Sequence, residues 1–411
     1  MPNAKPVLAL VPRLAHVRQR WTDDGIDDIE GAVARALTEA EFSRRVAPGA
    51  RVAITVGSRG IDRIAQVVRA MADALRERGA APFVVAAMGS HGGATAAGQR
   101  EVLAGYGITE AAVDCDVRCT MEVVELGRTR AGNTVFFDRE AFNADAVVVV
   151  GRVKPHSILT GDLGSGLLKM TAVGLGNQRG ADALHALGLQ AHLAETAALV
   201  LAHAPVAMGL ALVENTFDRI ALVRAVVPQD FATADRELLA LARRYLPTLP
   251  FDPLDVLIVD RIGKDISGAG MDPNVIGMWR RNGGTAERTI RRIVALDLSD
   301  ASHGNAIGIG MADIVTARLA DKMDVDVSLA NAMTSDFFAG LKVPVTMPTA
   351  NDAVALACRT FAPQHARVMR IADTAHLENL WISEALLAEA ASDPQIEIVR
   401  EPRPMDFARS A

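Results

Sequence analysis

Aromatic residues make up only 4% of this 411-residue chain. That is too few for the stacking surfaces that bind single-stranded nucleic acid. Positive charge is not in excess either. The net charge of −6 gives no electrostatic reason to expect nucleic acid or an anionic membrane as a partner. There are three cysteines, Cys115, Cys119 and Cys358, a sparse odd set that excludes a secreted disulfide framework. Cys115 and Cys119 lie four apart, and no second pair completes a four-ligand metal site. No uncharged apolar run reaches the roughly 18 residues of a membrane span. The short apolar run near the N-terminus is broken by Pro12 and followed by Arg13, which does not suit a signal peptide. The expected location is the cytoplasm.

What is present is ordinary for a soluble globular protein, with 50% hydrophobic and 22% charged residues. The length predicts two domains rather than one core. Arg51–Gly57, Pro82–Met88 and Ala146–Val150 read as buried strands, and Val206–Glu214 with Ile220–Val226 as a further pair. Between them Ile61–Glu77 has the apolar period of a helix. Thr95 suits an N-cap before Gln99–Tyr106, and Thr233–Tyr245 reads as another helix. This alternation predicts an α/β fold with mostly parallel sheets. Leu246–Asp255 carries three prolines and no period, so it is the expected linker. A second α/β unit follows, with strands at Asp255–Asp260 and Ile293–Ser299, a helix from about Ala312, and strands near Val343 and Val368. The expected domains are 1–248 and 249–411, enclosing a cleft.

The chemistry concentrates at strand ends. His91 stands in AMGSHGGAT after one strand and His156 in GRVKPHS after another. Open α/β sheets bind ligands at that edge, and histidine changes charge near neutral pH. Gly161, Gly164, Ser165 and Gly166 form a glycine-rich loop whose bare amides suit an anion such as a phosphate. Lys169 follows among apolar neighbours, where an amine becomes nucleophilic. His185 lies sixteen residues further on, in a helical run. GLGNQRG (Gly174–Gly180) is one residue too long for a dinucleotide fingerprint and lacks a leading strand. In the second half, GKDISGAGMDPNVIG is a polar loop followed by Arg280 and Arg281, and a guanidinium there suits a carboxylate clamp.

In order and spacing these segments resemble the nickel-dependent lactate racemase family. AMGSH matches a family segment ending in histidine, and His156, LGSG and Lys169 match a histidine, a glycine loop and a lysine. His185 has the family's sixteen-residue spacing, and SGAGMDPN resembles a second-half loop. The resemblance implies a covalent nickel-pincer nucleotide, Ni(II) pyridinium-3,5-bisthiocarboxylic acid mononucleotide, held by Lys169 through a thioamide. His185 would ligate the nickel, while Gly164, Ser165 and Gly166 would sit near the cofactor phosphate. His91 and His156 would be the acid–base pair on opposite faces of a 2-hydroxy acid, and Arg59 and Arg280 the nearest candidates for substrate contact. The implied activity is that of a racemase or epimerase using reversible hydride transfer, with the small-molecule substrate and transient cofactor-synthesis proteins as partners. Two bases, one per face, are what inversion through a flat keto acid requires.

The chain departs from the family between His156 and Lys169, where it is about three residues longer. It departs again at TVGSRGI, which lacks the family's aspartate and displaces its arginine. Both places select substrate, so a larger or differently charged 2-hydroxy acid is expected rather than lactate. Two alternatives stand beside this reading. One is an NAD-dependent oxidoreductase, and the other a non-catalytic nucleotide- or metal-binding protein.

Overall fold

The computed structural model describes residues 11–40, 42–157, 159–162, 164–277, 280 and 288–407. Arg281 and Leu163 of the glycine loop lie outside them. The chain forms two compact units, Asp23–Leu246 and Pro247–Ala411 together with the N-terminal segment to Thr22. The second unit is therefore discontinuous. β1 (Leu14–Gln19) pairs antiparallel with strands near the C-terminus, whereas the sequence reading placed residues 1–22 with the first domain. Leu14, Ala15 and Val17 are buried in that sheet. A lone strand's apolar residues do not reveal which sheet will take them.

The Asp23–Leu246 unit holds β2 (Arg51–Val56), β3 (Ala81–Ala86), β4 (Val117–Arg118), β5 (Val123–Arg128), β6 (Thr134–Asp138), β7 (Ala146–Arg152), β8 (Val206–Glu214) and β9 (Ile220–Val226). Six of these form one sheet in the order β4-β3-β2-β7-β8-β9. The first five are parallel and β9 is an antiparallel edge. β5 and β6 form a separate hairpin. The central strands are covered on both faces: Val52, Ile54 and Val148 face one core, Ala53, Val147 and Val149 the other. This explains their unbroken apolar sequences. Helix Ile64–Glu77 buries Ile64, Val67, Val68, Met71 and Leu75. Helix Ala96–Gly105 starts at Thr95, whose hydroxyl accepts the Gly98 N–H at 3.0 Å.

The other unit holds β10 (Leu254–Val259), β11 (Ile290–Ala295), β12 (Ile314–Thr316), β13 (Val345–Met347), β14 (Val368–Ile371), β15 (Asn379–Ser383) and β16 (Ile396–Arg403). With β1 they form an eight-stranded sheet in the order β13-β12-β11-β10-β14-β15-β1-β16. The first five are parallel, and the remainder antiparallel. The helix expected from about Ala312 is instead β12, with helix Ala317–Asp321 after it. Ile314, Val315 and Thr316 are β-branched and favour a strand. No helix among the described residues is long and apolar enough to cross a membrane.

Candidate functional site

In the first unit, β2 has β3 on one side and β7 on the other. The chain winds outward from this point in both directions, the switch point at whose carboxyl-end edge open α/β sheets bind ligands. Ser58 and Arg59 follow β2, His91 follows β3, and Lys154 and His156 follow β7. Three of the residues picked out in the sequence therefore converge on adjacent strand ends.

His91 is exposed, but its ring is held. Ser58 Oγ is hydrogen-bonded to His91 Nδ1. Ser58 is itself fixed through its carbonyl, which accepts from Tyr106 Oη at 2.9 Å. The His91 loop is anchored beneath by Gln99, fully buried, whose Nε2 donates to Gly89 O at 3.2 Å and His91 O at 3.5 Å. Gly89 N also donates to Gly174 O at 3.1 Å, tying this loop to the turn after Lys169. Ser58, Tyr106 and Gln99 were not singled out from the sequence. A serine at the end of a strand was the only signal, and it is a weak one.

The loop from Lys154 to Ser165 is closed by a two-stranded bridge: Lys154 N donates to Ser165 O at 3.1 Å and Ser165 N to Lys154 O at 2.9 Å. His156 lies inside it, partly buried, with Leu159 N 3.4 Å from its Nδ1. Helix Leu167–Ala172 then begins, and Lys169 is its third residue. At its start Leu167 N and Leu168 N each donate at 2.9 Å to the carboxylate of Asp235, from helix Phe231–Tyr245. A Cβ on Gly166 would lie 2.5 Å from Asp235 Oδ1, and one on Gly164 2.7 Å from Lys154 O.

The glycine loop expected near the cofactor phosphate, Gly164, Ser165 and Gly166, is thus partly engaged by the protein itself. The amides of Ser165, Leu167 and Leu168 are already donated within the protein. The anion that the Leu167 and Leu168 amides meet is the buried carboxylate of Asp235. The glycines are needed because backbone and carboxylate approach closely there.

His185 lies on helix Asn177–Leu187, which is preceded by a helix rather than a strand. The strand–turn–helix context of a dinucleotide fingerprint is thus missing. The helix starts at Asn177, fully buried at a φ of 48°. Its Nδ2 donates to Asp138 Oδ2 at 2.9 Å and to Thr120 O at 3.0 Å. Burial raises Asp138 to about 6 against the hydrogen bonds of Ala141 N and Asn177.

Electrostatically the site is cationic. Desolvation lowers Lys169 to about 8, with Arg59 adding to the effect. Desolvation also lowers His156, to about 2, helped by the charges of Lys169, Arg59, His185 and Lys154. His185 is lowered by desolvation and by Lys169, while Asp182 opposes. Both imidazoles are therefore neutral near pH 7, and Lys169 has a sizeable free-amine fraction. Arg59 bears on the ionisation of Lys169 and His156, and Lys169 on that of His156 and His185, so these residues lie within electrostatic reach of one another. No group of three or more histidine, cysteine or acidic side chains among the described residues is arranged to hold a metal.

Arg280 belongs to the other unit and is engaged there. Its side chain is 5% exposed, with Nη1 bonded to Met311 O at 2.9 Å and Asp313 Oδ2 at 3.0 Å, and Nη2 to Ile290 O at 3.0 Å. Burial lowers its pKa against Asp313. A guanidinium committed to two main-chain carbonyls and a carboxylate fastens its own fold. The sequence reading expected this guanidinium to be a clamp for a substrate carboxylate.

A sequence profile for the lactate racemase N-terminal domain matches residues 11–196. No curated protein sequence matches the chain. Among solved structures, the lactate racemase apoprotein from Thermoanaerobacterium thermosaccharolyticum is similar at a TM-score of 0.51 and 13% identity, over 93% of this chain and 96% of that one. At that identity the likeness establishes fold. O-ureido-L-serine synthase aligns over 91% of this chain and 93% of its own at a TM-score of 0.15 and 14% identity, which carries no argument. Residues 11–196 are thus similar to the lactate racemase N-terminal domain, and the chain shares its fold with the lactate racemase apoprotein.

Proposed function

We propose that this protein is a racemase or epimerase of a 2-hydroxy acid, working with a nickel-pincer nucleotide attached at Lys169. The observation that carries the reading is the amine of Lys169, desolvated and lowered to about 8 beside two neutral imidazoles. An amine in that state is the nucleophile that covalent attachment needs. A neutral imidazole at His185 is a suitable nickel ligand. The pincer brings its own donor atoms, so a single protein ligand suffices and no acidic cluster is required. When bound, this group supplies the acceptor for the substrate hydride.

The protein's own residues hold the protons. His156 starts neutral and enters as a base, in a loop fixed by the Lys154–Ser165 bridge. His91, with its ring oriented by Ser58, serves the opposite face. Arg59 and Lys154 add positive charge near His156, which favours a carboxylate substrate. A 2-hydroxy acid larger or more highly charged than lactate fits the altered turn at Ser58–Arg59. Screening chiral 2-hydroxy acids tests this, and a preference for lactate over the rest of the panel would count against it.

The cofactor assignment is tested by intact mass and nickel content after co-expression with cofactor-synthesis proteins. A mass adduct and about one nickel per chain are expected, both lost in Lys169→Ala. A folded wild type with neither would overturn the assignment.

A further inference from the structure

We propose that Asp235 is a positioning residue for Lys169, its carboxylate acting as an N-cap delivered from another helix to the turn that presents the lysine. The inference deepens the proposed function and rests on Lys169 being the attachment point. The first backbone N–H groups of a helix have no partner within it. Usually the preceding residue's side chain supplies one. Here that residue is Gly166, which has no side chain to offer and makes no capping bond. Both oxygens of Asp235 take the task, each accepting one N–H at 2.9 Å.

The arrangement is closed from every side. A Cβ on Gly166 would lie within 2.7 Å of both carboxylate oxygens. Phe231, Leu238 and Leu239, on the same helix as Asp235, are buried in one core with Leu167 and Leu168. Lys169 follows the second capped residue directly. A six-residue helix has too few internal bonds to hold its own direction, so the cap sets where the amine points and how fully it is desolvated. The carboxylate is itself buried and raised to about 6, with the two N–H groups opposing the rise. Burying a carboxylate is costly unless hydrogen bonds compensate. The charge that acts on the amine is that of Arg59, and the amine's own charge acts on His156 and His185. Asp235 therefore acts through the backbone rather than through its charge.

The test follows the reactivity of the amine, not turnover. The full chain, purified without cofactor-synthesis proteins, is labelled with trace acetic anhydride across pH 6 to 11, and acetylation of Lys169 is read by peptide mass spectrometry. Wild type should show a midpoint near 8. In Asp235→Asn and in Gly166→Ala the midpoint should rise by at least one unit, lowering labelling at pH 8 by about fivefold as the free-amine fraction falls. Thr349→Ala removes the hydroxyl that caps helix Ala350–Cys358 in the other unit. It should leave the Lys169 midpoint in place, which separates positioning from general loss of stability. Wild type also permits a check that needs no variant. The Leu167 and Leu168 amides should exchange with deuterium at least about a hundredfold more slowly than uncapped first-turn amides. An unmoved midpoint in folded variants, or unprotected amides, would overturn the proposal. A normal labelling result with no nickel and no adduct would instead sink the cofactor reading and leave this one standing.

Discussion

At the ends of β2, β3 and β7 stand Ser58, Arg59, His91, Lys154 and His156. At the corresponding ends of β10 and β11 the chain places Asp260, Lys264, Asp265, Asp297 and Ser299. In the second set the polar groups compensate one another. Asp265 accepts from Ser299 Oγ and, at 3.1 Å, from Ser302 Oγ. Lys264 Nζ donates to Asn331 Oδ1 at 2.7 Å and to Gly268 O at 2.8 Å. Asp297 pairs with Lys322 at 3.1 Å and with Arg318 at 3.3 Å. In the first set, burial above all, with neighbouring cations adding to it, pushes His156 and Lys169 away from their ordinary ionisation. Satisfied polar groups mark structure, whereas perturbed ones facing a strand-end crevice mark a site. Parallel sheets of the same kind carry both arrangements. The fold therefore does not decide the use, and the pairing of side chains does.

The sharpest way to break this contrast is to remove the bases. His156→Ala and His91→Ala should each lower racemisation by about 10²–10⁴-fold, the usual worth of a positioned acid or base. The mass adduct and nickel should remain. Chiral chromatography of the product and intact mass give the two readings. Retained turnover in both variants would remove these histidines from the acid–base role, whereas a wild type that carries the adduct and nickel but racemises nothing in the panel would favour a non-catalytic binding protein. Loss of the adduct would mean that these residues only support the fold.

The corresponding change in the other unit should act on stability alone. Arg370 is 1% exposed and donates to Asp260 at 2.7 Å, between the rings of Trp381 and Phe407. Asp260→Ala leaves a buried guanidinium without its carboxylate, which costs about 3–5 kcal/mol. Chemical denaturation should register that loss, while the Lys169 labelling midpoint stays where it was. A loss below about 1 kcal/mol would mean that the pairing in this unit matters less than its geometry suggests.

Much of this was legible in the sequence because buried parallel strands have no polar face to disguise them. Val147, Val148 and Val149 read as a strand from composition alone, and β8, β9 and β10 fall close to where the apolar runs put them. Thr95 announced its helix for a local reason, a hydroxyl within reach of a backbone N–H. The rest depends on contacts between distant residues. β1 joins strands more than 350 residues away. Asp235 reaches an amide 68 positions earlier. The glycines before Lys169 were conspicuous, but sequence does not say whether a bare backbone awaits a ligand's anion or the protein's own. Arg280 failed for a related reason, since charge and loop position do not reveal a partner such as Asp313.

The smallest effect expected is at Arg59, and it sharpens the comparison most finely. Arg59 is exposed, so water screens its field, and its influence on Lys169 comes second to desolvation. A like charge near an amine disfavours the ammonium form. Arg59→Gln should therefore raise the Lys169 labelling midpoint, and by only about half a unit, as fits a solvent-screened pair worth about 1 kcal/mol or less. The sign is fixed: removing a positive neighbour makes the amine easier to protonate, so labelling at pH 8 falls. Raising the salt concentration should shrink the difference between wild type and variant, because screening already weakens what the substitution removes. A shift as large as that expected for Asp235→Asn would mean that charge, not burial, governs the lysine. The strand-end crevice would then owe its character to its surface cations rather than to the helix packed beneath them.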